Sequence, residues 1–154
     1  MTLQERAKGR ALLKFWYNES THDERKSGTV WYDEARDYVN VLSLRFDAPK
    51  FICAGVISAL SPNNKWSRNK LDAHAVLDAV SKGIPPDQVK VCTYHNNKYK
   101  AFSIAMGDEN ILKQSPKTYA FARNISGVDT HQVTIDKWHL RAIQTSSKSP
   151  KNCK

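Results

Sequence analysis

The 154-residue chain is 40% apolar and 25% charged, which suits one globular domain with a core of its own and argues against a membrane-embedded protein. Lys and Arg outnumber Asp and Glu by 24 to 15, a formal charge of +9, so a polyanionic partner is expected, nucleic acid before membrane. Three widely spaced cysteines, Cys53, Cys92 and Cys153, form no C-x-x-C pair, which argues against a zinc knuckle, an iron–sulfur loop or a disulfide framework.

The polar start Met1 to Arg6 has no apolar h-region, so a cytoplasmic, reducing environment is expected. Leu12, Leu13, Trp16 and Tyr17 are spaced for one face of a first helix, Leu3 to Tyr17. Asn18 to Gly28 is polar and mixed in charge and reads as a loop. Helical spacing returns from Trp31 to Phe46 through Ala35, Tyr38, Val39 and Leu42. Asp47-Ala48-Pro49 reads as a cap, with Asp47 at the N-cap and Pro in the first turn. The helix it opens, Phe51 to Leu60, is apolar on nearly all sides and is expected at the centre of the core.

Ser61-Pro62-Asn63-Asn64 breaks that helix, and another runs from about Lys65 to Ser81. Gly83 to Asp87 is a turn, Val89 to Thr93 a candidate short strand, and Tyr99 to Met106 a short helix. Further helices start at Ser115 and Asp136. Residues 145–154 are Ser-, Lys- and Asn-rich and read as a flexible basic tail. The fold class expected is all-α: a compact bundle of six to eight short helices in one domain, residues 1–144.

Four segments in order resemble the helix-hairpin-helix DNA glycosylase superfamily, the group that includes endonuclease III and 8-oxoguanine glycosylase. Ile52 to Leu77 (ICAGVISALSPNNKWSRNKLDAHAVL) is similar to the family segment in which a buried helix ends at "LSxQ" and the next begins near "NK". Asn97 to Ala101 is a loose match to its "Y-x-x-K-A" helix. Ile111 to Ala120 (ILKQSPKTYA) lies where the family has its "LPGVGxKTA" hairpin, and Val133 to Arg141 (VTIDKWHLR) where it has "VDTHxxR". The resemblance covers residues 50–142. Small phage-encoded proteins with WY-x-E-A and LSP-x-x-x-W-x-x-N segments are similar in style, here Trp31 to Ala35 and Leu60 to Asn69. The hairpin glycines fall on Lys113 and Ser115, and the family's iron–sulfur loop is absent.

The resemblance implies action at an N-glycosidic bond of nucleic acid, DNA favoured over RNA. Asp136 would stabilise positive charge at the sugar C1′ as the base leaves, and Lys117 would attack C1′ to give a Schiff base and lyase activity. Asp129, in the more literal Val128-Asp129-Thr130-His131, is assigned to a polar turn, because only Asp136 is followed five residues later by Arg141. Nucleic-acid contacts are expected from Asn63, Asn64, Lys65, Trp66, Arg68, Lys113, Ser115 and Arg141, with Trp138 and His139 as candidate pocket residues. The wider basic set Lys65, Arg68, Lys70, Lys90, Lys98, Lys100, Lys113, Lys117, Lys137 and Arg141, interleaved with Tyr94 and Tyr99, is expected on one face.

Bland roles fit the same residues: Asp136 as an N-cap, Lys117 as a solvated first-turn residue, Asn63-Asn64 as turn formers and Trp66 as core. The five histidines show no ligand spacing, so no metal and no cofactor is expected. Two alternatives stand beside the enzyme. One is a catalytically inactive DNA-binding or host-inhibitory protein, with a protein partner in a host cell if phage-encoded. The other is a small-molecule enzyme that binds a nucleotide.

Overall fold

The computed structural model describes residues 2–129, 131–135 and 137–144, with the backbone alone for Lys137, Trp138 and Gln144. Eight α-helices occur among them: α1 (Leu3–Glu19), α2 (His22–Phe46), α3 (Lys50–Leu60), α4 (Trp66–Ser81), α5 (His95–Ala105), α6 (Asn110–Lys113), α7 (Pro116–Ser126) and α8 (Lys137–Gln144). A 3-10 turn lies at Pro86–Gln88. The described residues contain no strand, so the protein is all-α. None of their helices is long and apolar enough to cross a membrane. The chain divides into two compact units, residues 1–31 with 135–154, and residues 32–134.

The larger unit is built around α3. Every residue from Ile52 to Leu60 is buried, as the unbroken apolar run predicts. α3 packs on α4, α5 and α7, which contribute Val76 and Leu77, Phe102 and Ile104, and Phe121 and Ile125. Each such side chain removed from water stabilises the fold by about 1.5–3 kcal/mol before entropy is counted. Gly55 sets the closest approach: a Cβ there would stand 2.8 Å from Leu112 Cδ1 and 2.9 Å from Ile104 Cγ2. Leu112 of α6 and Ile104 of α5 can therefore come this close to α3 only because position 55 has no side chain. α7 ends at Gly127, whose φ of 78° is the left-handed conformation that closes a helix at low cost.

The smaller unit rests on α1 and α8, which pack together. Thr2 and Glu5 form a capping box at the start of α1: Glu5 N–H donates to Thr2 Oγ1 (3.2 Å) and Thr2 N–H to Glu5 Oε2 (2.7 Å). The Trp16 indole N–H donates to the Ala142 carbonyl at 3.0 Å, tying the helices together. Leu12 is the one buried residue of α1.

Three local expectations are corrected. Asn18 to Gly28 is not a loop, because α1 continues to Glu19 and α2 begins at His22. The cause is a second reciprocal cap: Thr21 N–H donates to Glu24 Oε2 (2.7 Å) and Glu24 N–H to Thr21 Oγ1 (3.2 Å). The Thr21 N–H and the Thr21 hydroxyl, both donating to Oε2, hold the Glu24 carboxyl below its ordinary range. Asp47 does not cap α3. It has φ 48° at the end of α2, and Pro49 occupies the N-cap without a side-chain bond. Val89 to Thr93 is not a strand, and its Cys92 N–H donates to a side chain of α4 instead.

Candidate nucleic-acid interface

The turn between α3 and α4 is held by one buried carboxylate. Asp72, 1% exposed, accepts from Arg68 Nε at 2.8 Å on Oδ1, and from Asn64 Nδ2 at 2.9 Å and the Cys92 N–H at 2.8 Å on Oδ2. A charge this deep is stable only with a cation and hydrogen-bond donors around it, and these three come from the turn, the helix and a segment twenty residues further on. Asn64 Nδ2 also reaches the last carbonyl of α3, Leu60 O, at 3.2 Å. Asn69, expected as part of the helix start, is buried and donates to Ile57 O at 3.1 Å, which fixes α4 against α3.

The same clasp brings a second loop alongside. Thr93 Oγ1 donates to Pro62 O at 3.1 Å, and Asn97 Nδ2 to Thr93 Oγ1 at 3.2 Å. Asn63 Nδ2 then donates to the Tyr94 hydroxyl. Asn63 has φ 55°, a left-handed conformation that asparagine tolerates better than most residues. Both side chains are exposed, Tyr94 at 60%. Each stands at the start of a helix, α4 or α5, that has no acidic residue in its first turn and no side-chain cap. Lys65 and Arg68 follow Asn63 in the sequence and His95 follows Tyr94, and all three are exposed. The edge is cationic, polar and rigidly held, and it displays an aromatic ring.

Trp66 belongs to the scaffold of this edge. It is half-buried and meets Tyr38 edge-on at 6.4 Å, with Lys70 Nζ 5.8 Å from its ring and 5.5 Å from the Tyr38 ring. The Tyr38 hydroxyl donates to Lys70 O at 2.8 Å, and burial pushes its pKa up. Lys98, expected on the basic face, is instead buried, with Nζ donating to Val89 O at 3.2 Å. That lysine braces the segment leading to Cys92.

α6 and α7 are joined through Gln114 and Ser115. Ser115 is the N-cap residue of α7, but its hydroxyl pairs with Thr118 Oγ1 at 3.0 Å rather than with a backbone amide. Lys113 Nζ donates to Asn110 Oδ1 at 3.1 Å, and Lys117 is exposed in the first turn of α7. Two turns further along, Asn124 Nδ2 donates to Thr134 Oγ1 at 3.1 Å, anchoring the chain that leads to Asp136. Asp129 is a turn residue, accepting from Arg123 Nη2 at 3.2 Å and from the His131 N–H at 3.1 Å. Asp136 and the Trp138 side chain lie outside the described residues. His139 and Arg141 are exposed on α8. Among the described residues, no three His, Cys, Asp or Glu side chains gather as a metal site would require.

Sequence reasoning named Asn63, Asn64, Lys65 and Arg68 but missed Asp72, which organises them. An acid at i+4 from Arg68, on a helix face otherwise carrying Ala73, Val76 and Leu77, was the available signal. The Tyr94 partnership had none, because 31 residues separate it from Asn63. Over residues 2–153 the chain matches the model of a family of unknown function (DUF7178), and it belongs to that family. No curated protein and no solved structure matches it.

Proposed function

We propose that this protein binds nucleic acid, DNA in preference, through the clasped loops, and acts at an N-glycosidic bond in the manner of the helix-hairpin-helix glycosylases its sequence resembles. The observation that carries the reading is the adjacency of Asn63 and Tyr94, exposed side by side at two helix starts lined by Lys65 and Arg68. Taking a base out of its stack costs a few kcal/mol. A stacked tyrosine returns about 1–3 kcal/mol of that, and an amide beside it can occupy the gap. The cations supply phosphate contacts whose strength falls with salt.

In this reading Asp136 lowers the energy of positive charge developing at C1′, and Lys117 is the nucleophile. The amine must be neutral part of the time to attack. Lys113, Ser115 and Arg141 would add phosphate contacts, with Trp138 and His139 in the base pocket. The second reading, a binding or inhibitory protein without chemistry, is favoured by one feature. Lys113 and Ser115 stand where the resembled family has glycines, and their side chains bond to Asn110 and Thr118.

One assay separates the two. Wild type, Asp136→Asn and Lys117→Ala are incubated with duplex and single-stranded oligonucleotides bearing modified or damaged bases, and released base is measured. The enzyme predicts base release that Asp136→Asn abolishes and a borohydride-trapped adduct that Lys117→Ala abolishes. Binding without release by any substrate supports a nucleic-acid-binding protein without chemistry, and no binding to any oligonucleotide rejects the enzyme and the DNA-binding protein alike, leaving the inhibitory one.

A further inference from the structure

The smaller unit carries a feature that the nucleic-acid reading leaves unused, an open groove of about 690 Å3 along α1 whose walls include Ile143 of α8. Its size is that of a ligand site, for which about 300–1,000 Å3 is usual. Leu13, 47% exposed, and Ile143 give it an apolar lining, and Gly9 leaves room where α1 passes α8. Arg6, Lys8 and Arg10 line it with three positive charges. Glu5, the one acid among the described lining residues, is engaged in the capping box of α1. Arg6, Arg10 and Leu13 follow one another at +4 and +3, so they share a helix face, with the two guanidinium stems about 6 Å apart along the axis.

We infer that this groove is a docking site for an acidic amphipathic helix of a partner protein. Carboxylates at i and i+4 on such a helix match the spacing of Arg6 and Arg10, and its apolar residues match Leu13 and Ile143. The apolar lining is surplus to what a phosphate backbone needs. The concavity suits a helix better than a flat bilayer, and α1 with a single buried residue is not strongly two-faced. The chain's own end is the wrong partner by charge: residues 145–154 carry Lys148, Lys151 and Lys154 and no acid.

The probe is a fluorescent peptide of roughly 18 residues, five helical turns, with Leu at helix-spaced positions and Glu between them. A second peptide has Lys in place of every Glu. The docking site predicts saturable binding of the Glu peptide to the full chain and a loss of about tenfold or more in Arg6→Glu/Arg10→Glu. The same double variant should gain affinity for the Lys peptide. Leu13→Ser should weaken the Glu peptide with helical content unchanged. All three positions are exposed, and unchanged helical content in each variant separates a docking loss from unfolding. The proposal is overturned by any of three results: no saturable binding of the Glu peptide, equal binding by wild type and the double variant, or charge reversal that abolishes oligonucleotide or anionic-vesicle binding while leaving the peptide unaffected.

Discussion

α3 and α1 are built from the same kind of backbone and do opposite work. α3 buries nine consecutive residues and admits no side chain at Gly55, whereas α1 buries Leu12 alone and could take a Cβ at Gly9 in ordinary contact with Ile143. A helix packed on every side acts as scaffold, and its sequence is dictated by neighbours. A helix packed along one line has its remaining positions available for partners. The contrast extends to function: the proposed nucleic-acid edge is rigid because it grows from the end of α3, and the proposed peptide groove is open because α1 is lightly packed.

The largest expected effect falls where α3 ends. Asp72→Ala removes three hydrogen bonds at once, takes the acceptor from Arg68 Nε and the Cys92 amide, and leaves Asn64 Nδ2 with Leu60 O alone. A fully buried pair costs 3–5 kcal/mol to break, and Arg68 is 44% exposed, so we expect about 2–4 kcal/mol in denaturant unfolding. Asp72→Asn should cost less and still separate the two loops.

Next is the pH dependence of the same core. Burial pushes the Cys53 thiol from its ordinary 9.0 up to about 11. A folded pKa above the unfolded one means the contribution is intact below pH 9.0. It is lost as pH rises towards about 11, because only the unfolded chain ionises in that window. The loss should approach about 2–3 kcal/mol, and Cys53→Ala should flatten it. At pH 8 a thiol reagent should modify exposed Cys92 in the folded protein and reach Cys53 only on unfolding.

A single substitution made in both helices gives the direct contrast. Gly55→Ala forces a Cβ against Leu112 and Ile104 and should destabilise by about 1–2 kcal/mol, overpacking offset in part by helix propensity. Gly9→Ala meets only Ile143 Cβ at 3.8 Å, an ordinary contact, and should stabilise by up to about 1 kcal/mol. Thermal melts of the two should move in opposite directions. Equal shifts would mean that α1 is packed like α3.

The difference between the helices also explains what the amino-acid order reveals. α3 could be read directly, because Ile52 to Leu60 can be satisfied only by burial. The start of α2 was hidden by its polarity, although Thr21-x-x-Glu24 is a cap signal as plain as Thr2-x-x-Glu5. Val89, Val91 and Thr93 have strand-forming side chains, yet their segment is held by Asp72, Lys98 and Pro62, which local propensity does not register. The edge itself was half visible. Asn63, Lys65 and Arg68 lie together in the sequence, while Tyr94 reaches them only through the fold.

The central claim is that Asn63 and Tyr94 form one nucleic-acid contact, and a fluorescence titration of a single-stranded oligonucleotide tests it most directly. The oligonucleotide is added to wild type, Asn63→Ala, Tyr94→Ala and the double variant at low and moderate salt. The account predicts salt-sensitive binding, a loss of roughly 1–3 kcal/mol for Tyr94→Ala, and a total loss in the double variant that is larger than either single loss but smaller than their sum, as neighbours in one contact should show. Binding that is unchanged in all three variants, or absent from the wild type, would contradict it.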